Sequence, residues 1–155
     1  MKVIVVGPRG KMGKLITQIA AARDDMELVA GVAPAGRDYI GQDLGQAAMV
    51  GRMLGVPVVD DLESVIDDCD VIIDFSTKEM GMKVLELAVA HEKALVCGTT
   101  GFSAEEMQRF KDAAQKIPML YAANTSKLVN VMNRLLEMVA STLKDEIDIE
   151  ILEMH

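Results

Sequence analysis

Gly7, Gly10 and Gly13 stand three residues apart in GPRGKMG, directly after the apolar run KVIVV and before a segment of helical periodicity. A glycine-rich turn between a strand and a helix can do one kind of chemistry well. It lets the backbone turn tightly, lets a pyrophosphate approach, and leaves unpaired amides at the helix start facing the anion. Pro8 and Met12 complete the turn, and Arg9 and Lys11 add positive charge beside it. The three-apart spacing departs from the commoner G-x-G-x-x-G, and a turn that merely connects two elements is the alternative.

Three further turns carry small polar residues after apolar runs: DFSTKE (74–79), GTTGF (98–102) and AANTS (122–126). In an open parallel sheet, ligands bind in the crevice beyond the strand C-termini, so turns of this kind converge on one place. Thr99, Thr100, Asn124 and Ser126 offer neutral donors and acceptors for a ribose, a nicotinamide amide or a carboxylate, although each alone would suit a turn or helix cap. A carboxylate at the end of the second strand would bind a ribose 2′-OH, but Ala33 and Pro34 occupy that position. With Arg37 close by, a 2′-phosphate is not repelled, which tilts the expected cofactor towards NADPH over NADH; a solvated loop residue is the alternative for Arg37. His91 is expected to be structural, at a helix C-terminus where a cation complements the dipole. No Cys/His cluster has metal-ligand spacing, and there is no nucleophile elbow or P-loop.

The elements that must position these residues follow from periodicity. Continuous apolar runs predict strands at KVIVVG, MELVAGV (26–32), VPVVD (56–60), DVIIDFS (70–76), KALVC and PMLYA (118–122). Helical spacing follows the glycine turn, with Met12, Leu15, Ile16, Ile19 and Ala20. It recurs over 79–91, with Val84, Leu85, Ala88 and Val89 inward, and after Ser103, with Met107, Phe110 and Ala114 on one face. Ser103 and Glu106 form a capping-box pair. A longer helix is predicted over 127–143, with Leu128, Met132, Leu135 and Val139 on one stripe. Strands that are runs and alternate with helices predict an α/β Rossmann-type doubly wound parallel sheet. Residues 33–55 read as one long irregular loop, of the kind that is functional or mobile. The final DIEILEMH alternates, which predicts a strand with one wet or interfacial face, opening a second domain.

Composition bounds the function. A chain of 155 residues, half hydrophobic and 26% charged, fits a globular domain without metal or disulfide support. The core must be built from aliphatics and twelve methionines, because tryptophan is absent. A net charge of −8 argues against a nucleic-acid partner. No apolar stretch approaches the length of a membrane span. Cys69 and Cys97 read as buried free thiols, with a disulfide as the alternative, and free thiols point to a cytoplasmic location.

VGPRGKMGK, DVIIDFSTKE, VCGTTGF, AANTS followed by VNVM, and DIEILEMH occur in that order. Together they resemble the dihydrodipicolinate reductases of lysine and diaminopimelate biosynthesis, across essentially all 155 residues. The resemblance implies a homotetrameric enzyme that uses NADH or NADPH to reduce a cyclic unsaturated dicarboxylate. It implies that Gly7 to Met12 hold the pyrophosphate, and that Gly98, Thr99, Thr100, Ala122, Ala123, Asn124 and Thr125 line the ribose and nicotinamide. Phe75 and Ser76 would pack near the nicotinamide, and His155, at the start of the family's E-x-H-H-x-x-K stretch, would give or take the proton. Thr125 and Leu128 depart from the family's usual aromatic and glycine, and Lys78 from its proline. The resemblance further implies a Rossmann domain over 1–126, and over 127–155 a connecting helix and the start of a second domain cut short. Such a chain would bind cofactor, turn over poorly, and exist as a dimer or monomer. The alternatives are a related amino-acid or diamino-acid dehydrogenase, and a non-enzymatic nucleotide-binding or assembly module.

Overall fold

The computed structural model describes residues 1–152, which divide into two compact units, Met1–Ala123 and the segment from Asn124 onward. In the first unit six strands form one sheet: β1 (Lys2–Val6), β2 (Glu27–Val32), β3 (Val58–Val59), β4 (Val71–Asp74), β5 (Ala94–Cys97) and β6 (Met119–Tyr121). The spatial order is β3-β2-β1-β4-β5-β6, and every pairing in the ladder is parallel. This is the doubly wound arrangement expected from the run-like strands. Its order reverses between β1 and β4, the switch point beside which such sheets bind ligands. Val3, Ile4, Val5 and Val6 of β1 are fully buried, as a central strand covered on both faces requires.

Four helices belong to this unit: α1 (Lys11–Ala21), α2 (Leu44–Ala47), α3 (Lys78–Ala90) and α4 (Ala104–Ala113). On one side of the sheet Ile4, Val6 and Ile72 pack with Val84, Leu85 and Ala88 of α3 and Phe110 and Ala113 of α4. The inward face of α4 therefore carries Ala113, and Ala114 is exposed. α1 also departs from expectation. Its buried residues are Gly13, Thr17 and Ala20, whereas Met12, Leu15 and Ile19 are exposed. Two residues of the expected stripe do face the sheet: Ala20 is buried, and half-buried Ile16 packs against the cluster of Val3, Val5 and Val71.

The 33–55 segment is not a wholly irregular loop. It contains α2 and folds over a small core of Ala33, Tyr39, Leu44, Ala47, Ala48 and Val58. Asp43 caps α2 and ties the segment together, accepting from the amides of Gly45 (2.8 Å), Leu54 (3.0 Å), Gly55 (2.7 Å) and Val56 (3.2 Å).

The second unit holds α5 (Lys127–Leu143), capped by Ser126, and a short 3-10 turn at Lys144–Glu146. Leu128, Met132, Leu135 and Val139 do form one stripe on α5, and all four are exposed. The predicted strand at DIEILEMH is not formed over residues 147–152, where Ile149, Ile151 and Leu152 are exposed. An alternating sequence becomes a strand only against a partner edge, and this unit contains no other extended element among its described residues.

Candidate functional site

β1 is followed by Gly7, whose φ of +78° is the left-handed conformation that glycine adopts without strain. The chain then passes through buried Pro8 and exposed Arg9 to Gly10, the N-cap residue of α1, which has no side chain to cap the helix. The first-turn amides thus keep their hydrogen-bonding capacity for an incoming group, at the positive end of the helix dipole. Three-residue spacing has a steric cause as well. A Cβ on Gly13 would collide with the Gly7 carbonyl oxygen and lie 2.8 Å from Pro8 Cα, and one on Gly7 would lie 2.8 Å from the Phe75 carbonyl oxygen. The helix start, the β1 turn and the turn after β4 are in direct backbone contact. Lys11 and Met12 open α1 on its exposed side.

Arg9 is placed by two contacts. Its Nη1 pairs with Asp38 Oδ1 at 2.7 Å, and its guanidinium lies 5.0 Å from the centre of the Tyr39 ring. Both partners follow β2, so the charge beside the glycine turn is fastened to the segment that would flank a ribose. Ala33 is fully buried at the strand end and Arg37 is exposed in the same segment. The sequence reading missed Asp38: it lies past the strand-end position at which an acidic residue is sought.

The turns after β4 and β5 are joined through Asp74. This side chain is fully buried, and its Oδ1 accepts from both the backbone amide (3.1 Å) and the hydroxyl of Ser76. Its Oδ2 accepts from the Thr99 hydroxyl (2.9 Å) and, at 3.5 Å, from the Cys97 thiol. Thr99 Oγ1 in turn accepts from Ser76 N at 2.9 Å. Burial raises the Asp74 carboxyl above its ordinary value and outweighs the opposing pull of the Ser76, Thr99 and Cys97 hydrogen bonds. The same burial, with the charge of Asp74 beside it, pushes the Cys97 thiol up to about 12, so it is an inert core thiol. Phe75 lies over Gly98, where any Cβ would meet its ring. Asp74 was not singled out from the sequence. The signal was present, an acid closing the otherwise apolar run VIID, where burial demands partners.

The structure thus brings Gly7, Gly10 and Gly13 together with Phe75, Ser76, Gly98 and Thr99 on one edge of the sheet. Thr100 is exposed in the β5 turn, and the Ala122 amide donates to the Cys97 carbonyl at 3.1 Å, tying the end of β6 to the same edge. Ala123 is exposed at the end of the first unit. Asn124 and Thr125 belong to the second unit, where Asn124 Oδ1 accepts from Ser126 N at 2.8 Å as α5 begins. His155 lies outside the described residues. His91 has the structural place expected of it, closing α3 with Nδ1 2.9 Å from Asp67.

The family model described as dihydrodipicolinate reductase, N-terminus, matches residues 1–125. The 4-hydroxy-tetrahydrodipicolinate reductase of Pseudomonas fluorescens is 41% identical over 155 residues, covering 99% of this chain and 58% of that protein. The enzyme of the same name from Geobacter metallireducens is 42% identical, covering 100% and 58%. Among solved structures, a dipicolinate-bound dihydrodipicolinate reductase from Paenisporosarcina superimposes with a TM-score of 0.71 at 29% identity, over 91% of this chain and 54% of that one. A myo-inositol dehydrogenase from Corynebacterium glutamicum, 18% identical with a TM-score of 0.60, shares the fold. The chain spans a little over half the length of the curated relatives it matches. With a matching family model over most of its length and a glycine cradle set at the switch point of the sheet, this chain belongs to the dihydrodipicolinate reductase family.

Proposed function

We propose that this chain supplies the NAD(P)H-binding part of a 4-hydroxy-tetrahydrodipicolinate reductase. The observation that carries the reading is the cradle itself: Gly7 and Gly13, at which a side chain would strike backbone, and Gly10, which opens an uncapped helix at the switch point. The residues present fit a dinucleotide. Gly7, Gly10 and Gly13 allow its pyrophosphate to reach the first-turn amides of α1, and Arg9 and Lys11 supply compensating charge. Phe75, Ser76, Gly98 and Thr99 form the wall at which its nicotinamide half would rest. When bound, the cofactor supplies hydride, and the chain's own residues orient it and keep water from the reacting face.

The substrate in this reading is a small cyclic dicarboxylate, in line with the dipicolinate named in one related structure, and the assembly is a homo-oligomer, as the family resemblance implies. His155 is assigned the proton transfer on its place in the E-x-H sequence alone, since imidazole titrates near neutral pH. NADPH is preferred to NADH in this reading, because no carboxylate closes β2 and Arg37 stands nearby.

Titration of the reduced nicotinamide fluorescence with NADH and NADPH in parallel tests the proposal. Saturable binding of both, tighter for NADPH, is the expected result. Binding of neither would overturn it. The Arg37→Ala variant should lose NADPH affinity several-fold and leave NADH unchanged.

A further inference from the structure

Asp74 and Ser76 define more than the shape of a turn. Ser76 has two donors, its amide and its hydroxyl, and both are directed inward: the amide to Thr99 Oγ1 (2.9 Å) and Asp74 Oδ1 (3.1 Å), the hydroxyl to Asp74 Oδ1. A longer contact runs from the hydroxyl to the Thr77 carbonyl, at 3.4 Å. A serine hydroxyl has one proton and two lone-pair sites. With its proton held by Asp74, the half-buried Ser76 oxygen keeps only acceptor capacity on the open side. Thr99 adds no donor there, because it is buried and its own proton is aimed at Asp74 Oδ2.

We infer that Ser76 is a dedicated hydrogen-bond acceptor for the amide N–H of the bound nicotinamide, and that Asp74 is the positioning residue that imposes this one-way role. The inference rests on the dinucleotide reading above. Its physical basis is the buried carboxylate: no cation pairs with Asp74 among the described residues, so its partners are the two hydroxyls, the thiol and the amide. Burial acts against its charge more strongly than those partners favour it. A carboxylate at that point fixes the direction of two hydroxyl protons, which an apolar residue could not do. A hydroxyl with a free rotor would serve amide N–H and carbonyl alike. One held by Asp74 distinguishes them.

The test compares three ligands on the 155-residue chain: NADH, reduced 3-acetylpyridine adenine dinucleotide, and ADP-ribose. The acetyl group keeps the carbonyl of the carboxamide and lacks its N–H. The wild-type chain should bind NADH about threefold to tenfold more tightly than the acetylpyridine analogue, the range of a single hydrogen bond. Ser76→Ala should bring the two ligands to within about twofold, a change read against the same hydrogen-bond range, while ADP-ribose binding stays as it was. Asp74→Ala should do likewise. Asp74→Asn should retain the discrimination, since an amide oxygen can still take the Ser76 proton. That rescue is what a merely structural role for Asp74 would not produce.

Equal affinity of the wild type for NADH and the analogue would overturn the inference, as would full discrimination in Ser76→Ala. A parallel loss of ADP-ribose binding in Ser76→Ala would also overturn it, because the donor would then be a ribose hydroxyl. If Asp74→Ala does not fold, Ser76→Ala decides alone. Failure of ADP-ribose and NADH together to bind the wild type would instead defeat the dinucleotide reading itself.

Discussion

Gly13 has room for a hydrogen atom and nothing larger, because a methyl group there would strike the Gly7 carbonyl. Neither partner can yield, one being a helix start and the other the end of a buried strand. Gly13→Ala should therefore destabilise the chain by about 1–3 kcal/mol, the ordinary range of overpacking, and abolish cofactor binding; urea denaturation and NADH titration would report the two effects. Asp43 gives a second residue-scale prediction. Burial pushes its carboxyl up, but the amides of Leu54, Gly45, Gly55 and Val56 pull it down further, so it lies below the ordinary carboxylate value. A depressed folded value means stability that is present above the unfolded carboxyl's pKa of about 3.9 and lost as pH falls through the folded one. Asp43→Ala should cost about 1–3 kcal/mol at neutral pH by stranding those amides, and should remove that part of the acid-side loss. The glycines were legible in the sequence because a spacing of three after an apolar run has few other uses. Asp38 was not, since its partner Arg9 lies 29 residues away, and for Asp43 and Asp74 only the bonds to Gly45 and Ser76 are local, while those to Leu54–Val56 and to Thr99 and Cys97 are set by the fold.

At the scale of elements, the signals that survive are those closed within a few residues. The Ser103–Glu106 capping box was readable in the sequence and both of its bonds form, Ser103 N to Glu106 Oε2 at 2.6 Å and Glu106 N to Ser103 Oγ at 3.2 Å. Ser103→Ala should cost about 1 kcal/mol, seen as a lower midpoint of unfolding with an unchanged dependence on denaturant. Burial also explains where periodicity misled. Of the α1 residues at helical spacing, Ile16 and Ala20 face the sheet, whereas Met12, Leu15 and Ile19 face solvent, and Gly13 and Thr17 take the other buried positions. β6 was a run of apolar residues and became a half-exposed edge, with Leu120 turned outward. DIEILEMH had the alternation of a strand and no edge to pair with over 147–152. Periodicity states which residues could share a face; only the neighbouring element decides which face is covered.

At the scale of the whole molecule, the buried hydrophobic residues among the described ones all lie between Val3 and Ile117, and none is described in α5. The sheet, the core and every residue of the glycine cradle therefore belong to the unit Met1–Ala123. A domain with its own core is expected to fold alone. A chain ending at Ala123 should unfold cooperatively, with a midpoint close to that of the 155-residue chain in the same buffer. It should bind ADP-ribose with unchanged affinity, since the glycine turn, Arg9 and Tyr39 all remain. Ligand binding to the folded state adds stability by mass action, about 2.7 kcal/mol at a hundredfold excess over Kd, so one thermal-shift series with ADP-ribose measures folding and site integrity together. Equal shifts in the two chains are the expected result. A smaller shift in the shorter one would mean that Asn124 or Thr125 contributes to holding the nucleotide, as the family resemblance implied. An unfolded shorter chain would mean that the exposed α5 stripe is part of what keeps the sheet intact.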